Sequence, residues 1–385
     1  TEAYSQMRLT AEAASSVFAD NLWTEPAVFN NYGKTIFTIL HNTTYLWIVR
    51  QNRILIAPTD SNMQDVSANL QNIEAITTPR DGSVAVELRN DTKQYNSPIL
   101  GIGAQLEVEW GYQTPSGVLY TSVSTYWVER LEYRREAYKS TMVFHALDAW
   151  GVLKKLRARY QYVWAAGAAS IEDILKWLLA RAGFSYTTVS ASPSITGQTP
   201  PFTLYANETY ANAIIRLLQK VPDVIYFRAA TARAVNPASG DASVYAYGGA
   251  HAILEGRYIT EALGVNSVIV IGDAITTYDW EVTEAAASGE RVFQVYDKSL
   301  TTAALAHQRG AAEESRAARE RASGIVTVPL QPAQELYDVI DVTDSLLGLS
   351  ASRRRVAGLK HRYNTRKGEY SLTMQLSNVF YTFAP

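Results

Sequence analysis

The stretch Gln105-Leu-Glu-Val-Glu-Trp-Gly-Tyr112 decides the fold class of this chain. Successive side chains of an extended backbone point to opposite faces. Leu106, Val108, Trp110 and Tyr112 therefore share one side, and Glu107 and Glu109 share the other. This is the pattern of an antiparallel strand with one buried and one solvated face. Residues 83–90, SVAVELRN, repeat it, with Val84, Val86 and Leu88 opposed to Glu87 and Arg89. The cleanest alternation follows the Lys367-Gly368 turn, where Tyr370, Leu372, Met374 and Leu376 interleave with Ser371, Thr373, Gln375 and Ser377. Further strands are expected at 120–133 and at 140–147, the latter apolar on both faces. Turns fall at Pro79-Arg80-Asp81-Gly82 and Pro115-Ser116-Gly117. Short strands at regular spacing describe a small barrel or sandwich.

Between two such regions the period changes to that of a helix. In SIEDILKWLLARAGF, residues 170–184, Ser170 stands as N-cap with Asp173 three residues on. Ile171, Ile174, Leu175, Leu178 and Leu179 recur at helical spacing before Gly183. A second helix is expected over 208–221, followed by a strand, VIYFR, at 224–228. The last third returns to strands at 266–273 and 291–297. It adds one Ala/Glu/Arg-rich helix over 301–322, in which Glu313 meets Arg316 at helical spacing. Residues 1–20 read as weakly helical, and 35–50 as strands about an Asn42-Thr43-Thr44 turn.

Composition narrows the function. At roughly 150 residues per domain, 385 residues make two to three domains. Hydrophobic residues at 47% supply real cores and exclude a mainly disordered chain. Lys and Arg number 35 against 37 Asp and Glu, so the global basic footprint of a nucleic-acid binder is absent. The lack of cysteine excludes disulfides, thiolate metal sites and Cys nucleophiles. No apolar run reaches the length of a membrane-spanning helix, so no stable membrane insertion is expected. The opening Thr1-Glu2-Ala3-Tyr4-Ser5 is unlike a signal peptide.

No catalytic motif is found. The phosphate-binding, nucleophile-elbow and zinc-protease patterns are missing. Gly101-Ile102-Gly103 lacks the third glycine of a dinucleotide loop and leads into a strand. His41, His145, His251, His307 and His361 are scattered. His145 reads as a packed or hydrogen-bonded residue, and His361, between Lys360 and Arg362, as a solvated edge residue. Glu107/Glu109 could be glycosidase acids and Asp338/Asp341/Asp344 a calcium cluster, but solubilising charge is the simpler reading. The basic cluster Arg353-Arg354-Arg355, Lys360, Arg362, Arg366 and Lys367 reads as a charged loop and hairpin edge. Tyr160, Tyr162 and Trp164 are interface candidates. No catalytic, cofactor-binding or metal residue is nominated, and no cofactor is expected.

The order of segments resembles phage tail hub proteins, also found as baseplate hubs of contractile injection systems. In MQDVSANLQNIEAITTPRDGSVAVELRNDTKQYNSP, residues 63–98, the likeness is carried by Asp65-Val66-Ser67, Leu88-Arg89-Asn90-Asp91 and Tyr95. GAQLEVEWGYQTPSG is similar to the hub strand and turn, and Leu147-Asp148 in FHALDAWGVLKKL to the end of the first barrel. SIEDILKWLLARAGF and ETYANAIIRLLQKVPDVIYF resemble the two-helix-plus-strand insert, and residues 335–376 the closing hairpin. Where hubs often carry glycine before the aspartate of that segment, Tyr337 precedes Asp338.

The resemblance implies a mainly β fold with an α/β insert: two tube-like antiparallel β-barrel modules flanking a small two-helix-plus-strand domain. It divides the chain into an unassigned arm over 1–60, a first barrel module over 61–160, the insert over 161–262 and a second barrel module with one helix over 263–385. It implies a non-enzymatic virion component, a homotrimeric hub that joins a sixfold tail tube to a threefold spike or tip and lines the genome-delivery channel. Tail tube or distal tail proteins, the spike and a tape measure protein would be its partners, with DNA only as passing cargo. Assembly would take place in the host bacterial cytoplasm and the product would sit at the virion tail tip. Two other readings stand beside it: a carbohydrate-binding or cell-wall-degrading tail protein, and a distal tail ring subunit or injection-system hub.

Overall fold

A computed structural model of the protein describes residues 64–379 apart from 97–99, 115–116 and 121–123, together with the backbone of strands at 6–9, 28–29, 35–36 and 46–57. The Asn42–Thr44 turn, His41 and Pro115-Ser116 lie outside the described residues, as does most of the stretch expected to be weakly helical. Within that stretch Gln6–Leu9 is a strand, paired with residues 46–49.

The fold is mainly β with an α/β insert. Its Cα positions form two compact units, one of Thr1–Val152, Ser243–Arg257 and Ile325–Gln375, the other of Leu153–Ala242, Tyr258–Gly324 and Leu376–Pro385.

The first unit is built on one long sheet. Leu70–Thr78 pairs with Asp81–Arg89, which pairs with Lys139–Leu147, then Ser124–Glu136, Gln105–Thr114 and Leu46–Ala57, every pair antiparallel. The alternation read from the sequence sets the buried face. Val84, Val86, Leu88, Leu106, Val108, Phe144 and Ala146 are all buried. On its other edge Leu70–Thr78 pairs with the far end of the 16-residue strand Leu349–Asn364, in the register Leu359↔Thr77 to Asn364↔Asn72. The near end of that strand pairs with Val339–Asp344. Beyond it the sheet continues through Glu369–Ser377, Ala322–Pro329 and Glu255–Tyr258. The pairing thus runs unbroken between β regions that the sequence presents as separate blocks. Among the described residues its two end strands do not pair with each other.

Contacts across the buried face show how strongly the sheet curls. Trp110 stacks on His361 with centroids 5.2 Å apart, and Tyr112 meets Tyr370 edge-on at 5.5 Å. The Tyr370 hydroxyl donates to the Gly111 carbonyl at 2.9 Å and accepts from the Gly111 amide at 3.2 Å. The Tyr112 hydroxyl donates to the Leu330 carbonyl. Gly111 and Tyr370 belong to strands several positions apart in the sheet, so only curvature brings them together.

The segments that resemble hubs supply the clasps of this unit. Asp65 accepts from the amide and hydroxyl of Ser67, leaving Val66 between them buried. Buried Asn90 accepts from the Tyr95 amide, and its side-chain amide donates to Asn96. Asp91 accepts from the Ser140 amide at 2.6 Å, tying this loop to the next hairpin. Asp148 accepts from the Gly151 amide, capping helix Ala149–Lys155. A Cβ on Gly82, in the strand Asp81–Arg89, would come within 2.5 Å of the Asp148 carboxylate, so the bare glycine leaves the room that Asp148 fills. Tyr337 has φ +67°, the left-handed conformation that glycine adopts freely. Its amide donates to Val356 and its carbonyl accepts from Arg355, which hold the strained residue in place.

The second unit contains the insert. Helix Ile171–Arg181 starts with the expected capping box between Ser170 and Asp173, and helix Tyr210–Leu218 starts at the N-cap Thr209. Val224–Arg228 and Thr231–Val235 form a hairpin, with Ser185–Ser190 parallel to the latter. Ser192 donates its amide and hydroxyl to buried Asp223 at the start of this hairpin. The lobe over 258–324 has Ser267–Ile271 as the centre of a three-stranded sheet. Thr276–Trp280 is antiparallel to it and Val292–Tyr296 parallel. Helix Ala303–Glu320, with Thr302 as N-cap, covers one face of this sheet through Val268, Val270, Val295 and Ala306.

Substituting Tyr370→Phe removes both bonds to Gly111 while keeping the ring. Equilibrium denaturation of the full chain is expected to show a loss of about 1–3 kcal/mol.

Candidate assembly surfaces

The four described histidines do not converge. His145 is half-exposed, 3.4 Å from Glu132. His251 is buried, with Nε2 2.7 Å from the Pro329 carbonyl and Nδ1 3.0 Å from the Tyr245 hydroxyl. His307 Nδ1 lies 2.6 Å from Asp279. His361 is not at a solvated edge. It is buried against Trp110, and burial pushes its pKa down to about 4, so it is neutral at pH 7. Its neighbours Lys360 and Arg362 point to the opposite face and pair with Glu74 at 2.8 and 3.1 Å. Burial raises the Glu74 pKa, but these two cations outweigh it and hold the carboxyl below its ordinary range.

Of the rest of the basic cluster, Arg366 and Lys367 sit exposed in the hairpin turn over 365–368, as expected, whereas the arginine run is not a loop. Arg353, Arg354 and Arg355 lie within the strand Leu349–Asn364. Arg353 is 3.8 Å from Asp341, while Arg355 is fully buried and donates to the Tyr337 carbonyl at 2.8 Å. The carboxylates read as possible acids separate likewise. Glu109 is buried and Glu107 half-buried, bonded to Gln105 at 3.0 Å. Asp338 accepts from Gln334 and from the Glu335 amide, and Asp344 caps a short turn. Among the described residues no group of three His, Asp or Glu is disposed to hold a metal, and no helix is long and apolar enough to cross a membrane.

A charged cluster lies buried along helix Ala303–Glu320: the spacing of the sequence pairs Glu313 with Arg316, but it does not reveal the burial of Glu313 or the part played by Arg309 and Glu314. Arg309 and Arg316 both pair with Glu313. Glu314 is buried beside Asp279 and Glu281. Burial first, then repulsion from these two carboxylates, pushes its pKa up to about 8. Gly310 makes this packing possible, because a Cβ there would lie 2.3 Å from Asp279. The only hint of this burial in the sequence is a helix too polar to have an apolar stripe.

The features with functional bearing are surfaces. Residues 129–139 form the tip of the hairpin Ser124–Glu136/Lys139–Leu147. They expose Tyr133 and Tyr138 beside the ladder Arg130–Glu132–Arg134. Tyr160 is exposed, as expected of an interface residue, while Tyr162 and Trp164 pack half-buried against Trp177 at 4.7 and 5.2 Å. On the three-stranded sheet of the second unit, the face opposite the helix carries Tyr278, Trp280, Val292 and Tyr296, all exposed. Tyr278 and Trp280, on the same strand Thr276–Trp280, meet edge-on at 6.4 Å, and Tyr278 donates to Glu290.

No sequence-family model matches the chain, and no curated protein sequence matches it. Its fold, in contrast, is shared with solved tail proteins. The tail protein from Neisseria meningitidis MC58 superposes with a TM-score of 0.62 at 12% identity, over 85% of this chain and 97% of that one. The 43 kDa tail protein of prophage MuSo2 from Shewanella oneidensis gives 0.61 at 12% identity, over 85% and 98%. An Escherichia coli component of the type VI secretion system, itself structurally similar to the T4 tail proteins gp27 and gp5, gives 0.52 at 11% identity, over 82% and 76%. The chain therefore has the fold of phage tail and type VI secretion components, as the order of its segments implied.

Because the Glu314 carboxyl titrates higher in the folded than in the unfolded chain, the folded state holds the extra proton between about pH 4.5 and 8. Its contribution to stability therefore declines as pH rises through that window. Glu314→Gln is expected to raise the melting temperature above wild type by at least ~3 °C at pH 9, with the difference shrinking toward pH 5 in thermal melts.

Proposed function

We propose that this chain is a structural component of a phage-type tail or related injection device, of the hub kind, and not an enzyme. The observation that carries this reading is the fold match over nearly the whole length of two phage-type tail proteins, 97% and 98% of their chains. In this reading three copies form a ring, join the sixfold tail tube to a threefold spike or tip, and surround the channel through which DNA passes. The first β region, over 61–160, and the second, over 263–385, supply tube-like modules, and the insert over 161–262 lies between them. Tail tube or distal tail proteins, the spike and a tape measure protein are its partners. Assembly takes place in the bacterial cytoplasm.

Two features of the molecule support assembly as its work. The exposed tyrosines and tryptophan are residues that interfaces favour. Several polar groups buried in its cores, among them Asn90, Asp223 and Glu313, are engaged in clasps and ion pairs rather than grouped in a cleft. The hub of a contractile injection system would use the same chemistry.

Native mass spectrometry of the purified full chain across a concentration series is expected to show a trimer. A stable monomer at every concentration would count against the hub. Glycan-array binding and peptidoglycan release are both expected to be silent; a clear signal in either would favour the carbohydrate-directed reading instead.

A further inference from the structure

The second unit is electrically divided. Residues 153–242 hold ten Lys and Arg against five Asp and Glu, whereas residues 258–324 hold six against ten. The segregation sharpens locally. Residues 149–171 contain Lys154, Lys155, Arg157 and Arg159 with no acid, and residues 258–290 contain six carboxylates with no Lys or Arg. In a chain whose overall charge is −2, neither excess is imposed by composition.

Each charged region coincides with an exposed aromatic or apolar surface. On the basic side, Lys154, Lys155, Arg157 and Arg159 are exposed next to Tyr160, 60% exposed, and Val163, 66% exposed. The Arg159 guanidinium lies over the Tyr160 ring at 5.6 Å. This loop is pinned. The Ala158 amide donates to Glu208, the Asn207 amide to Ala158 and the Tyr210 amide to Leu156, while Arg157 donates to the Asn207 carbonyl at 2.9 Å. On the acidic side is the open face of the three-stranded sheet. Register sets its rows: Trp280, Ser267 and Val292; Tyr278, Ile269 and Gln294; Thr276, Ile271 and Tyr296. Two carboxylates border it where the strands begin and end: Asp273 after the central strand and Glu290 before Val292. Hydrogen bonds from Tyr278 and Ser267 hold the Glu290 carboxyl below its ordinary range, so it stays charged.

We infer that the basic loop of one copy of this chain docks on the acidic aromatic sheet face of the next. The inference rests on the proposed homotrimer and names the surfaces that would join it. Opposite charge selects the partner and orientation. Arginine stacking on exposed Trp and Tyr is favourable when water is excluded. Because the two surfaces are different patches of one molecule, the contact is heterologous, the type that closes a cyclic ring. An isologous pairing of either patch with itself would oppose like charges.

The test is a charge swap in the full chain, read by sedimentation velocity and native mass spectrometry. Lys155→Glu with Arg159→Glu reverses one surface, and Asp273→Arg with Glu290→Arg reverses the other. Thermal melts of all variants establish that they fold. Each reversal alone is expected to weaken self-association at least tenfold, and all four substitutions together to restore most of it. Raising the salt concentration is expected to weaken the wild-type assembly. A wild-type chain that does not self-associate, or a folded fourfold variant that assembles no better than either reversal, overturns the inference. A trimer that survives both single reversals also overturns this docking but leaves the hub reading intact. Loss of the hub reading would instead show as particles whose tails lack the chain.

Discussion

The antiparallel pairing of Leu70–Thr78 with the far end of Leu349–Asn364 is the interaction on which the first unit depends. Arg362 and Glu74, which meet across this ladder, are 288 residues apart in sequence. The entropy of closing a loop grows only logarithmically with its length, so a contact this distant is not prohibitive, but it gives nothing until both strands exist. Its stability comes from the faces it aligns. His361 and Tyr363 turn inward to Trp110 and Tyr370, while Lys360 and Arg362 turn outward to Glu74. A one-residue slip would exchange these two sets, bringing cations into the core. The register is therefore fixed from both sides of the sheet at once.

This arrangement also accounts for what the sequence could and could not disclose. The alternating runs around Val84, Leu106 and Leu372 are local, and so is the capping box at Ser170; each is legible from residues a few places apart, whereas Asp148 stands out only through the resemblance to tail hubs. The charged neighbours of His361 are a poor guide to its environment. In a strand the immediate neighbours occupy the other face, and the period of two, applied to 359–363, assigns His361 to the side of Leu359 and Tyr363. Arg355 is different. Its burial depends on a carbonyl freed by the left-handed turn at Tyr337, and no periodicity encodes that. Glu314 was equally hidden. Its helix looks solvated throughout, and only the glycine at 310 allows the strand bearing Asp279 to approach closely enough to bury both carboxylates.

The segments that resemble tail hubs prove to be structural. Asp65, Asn90, Asp91 and Asp148 each satisfy backbone groups at a turn, a strand end or a helix start, where an unmet hydrogen bond would be costly, and the Tyr95 hydroxyl accepts from the Asn69 side chain. Residues of this kind keep a fold while the surrounding surface diverges, which fits a shared fold at identities near 12%. It also locates individuality elsewhere. The charge division of the second unit and its open aromatic face are surface properties, free of the constraints that hold the sheet together.

Cryo-electron microscopy of assembled particles addresses the central claim most directly, because it reports copy number, symmetry and position together. The hub reading predicts three copies of this chain in a closed ring at the tail tip, surrounding a channel continuous with the tail tube. A ring of six copies, or a tail tip from which the chain is absent, would contradict it.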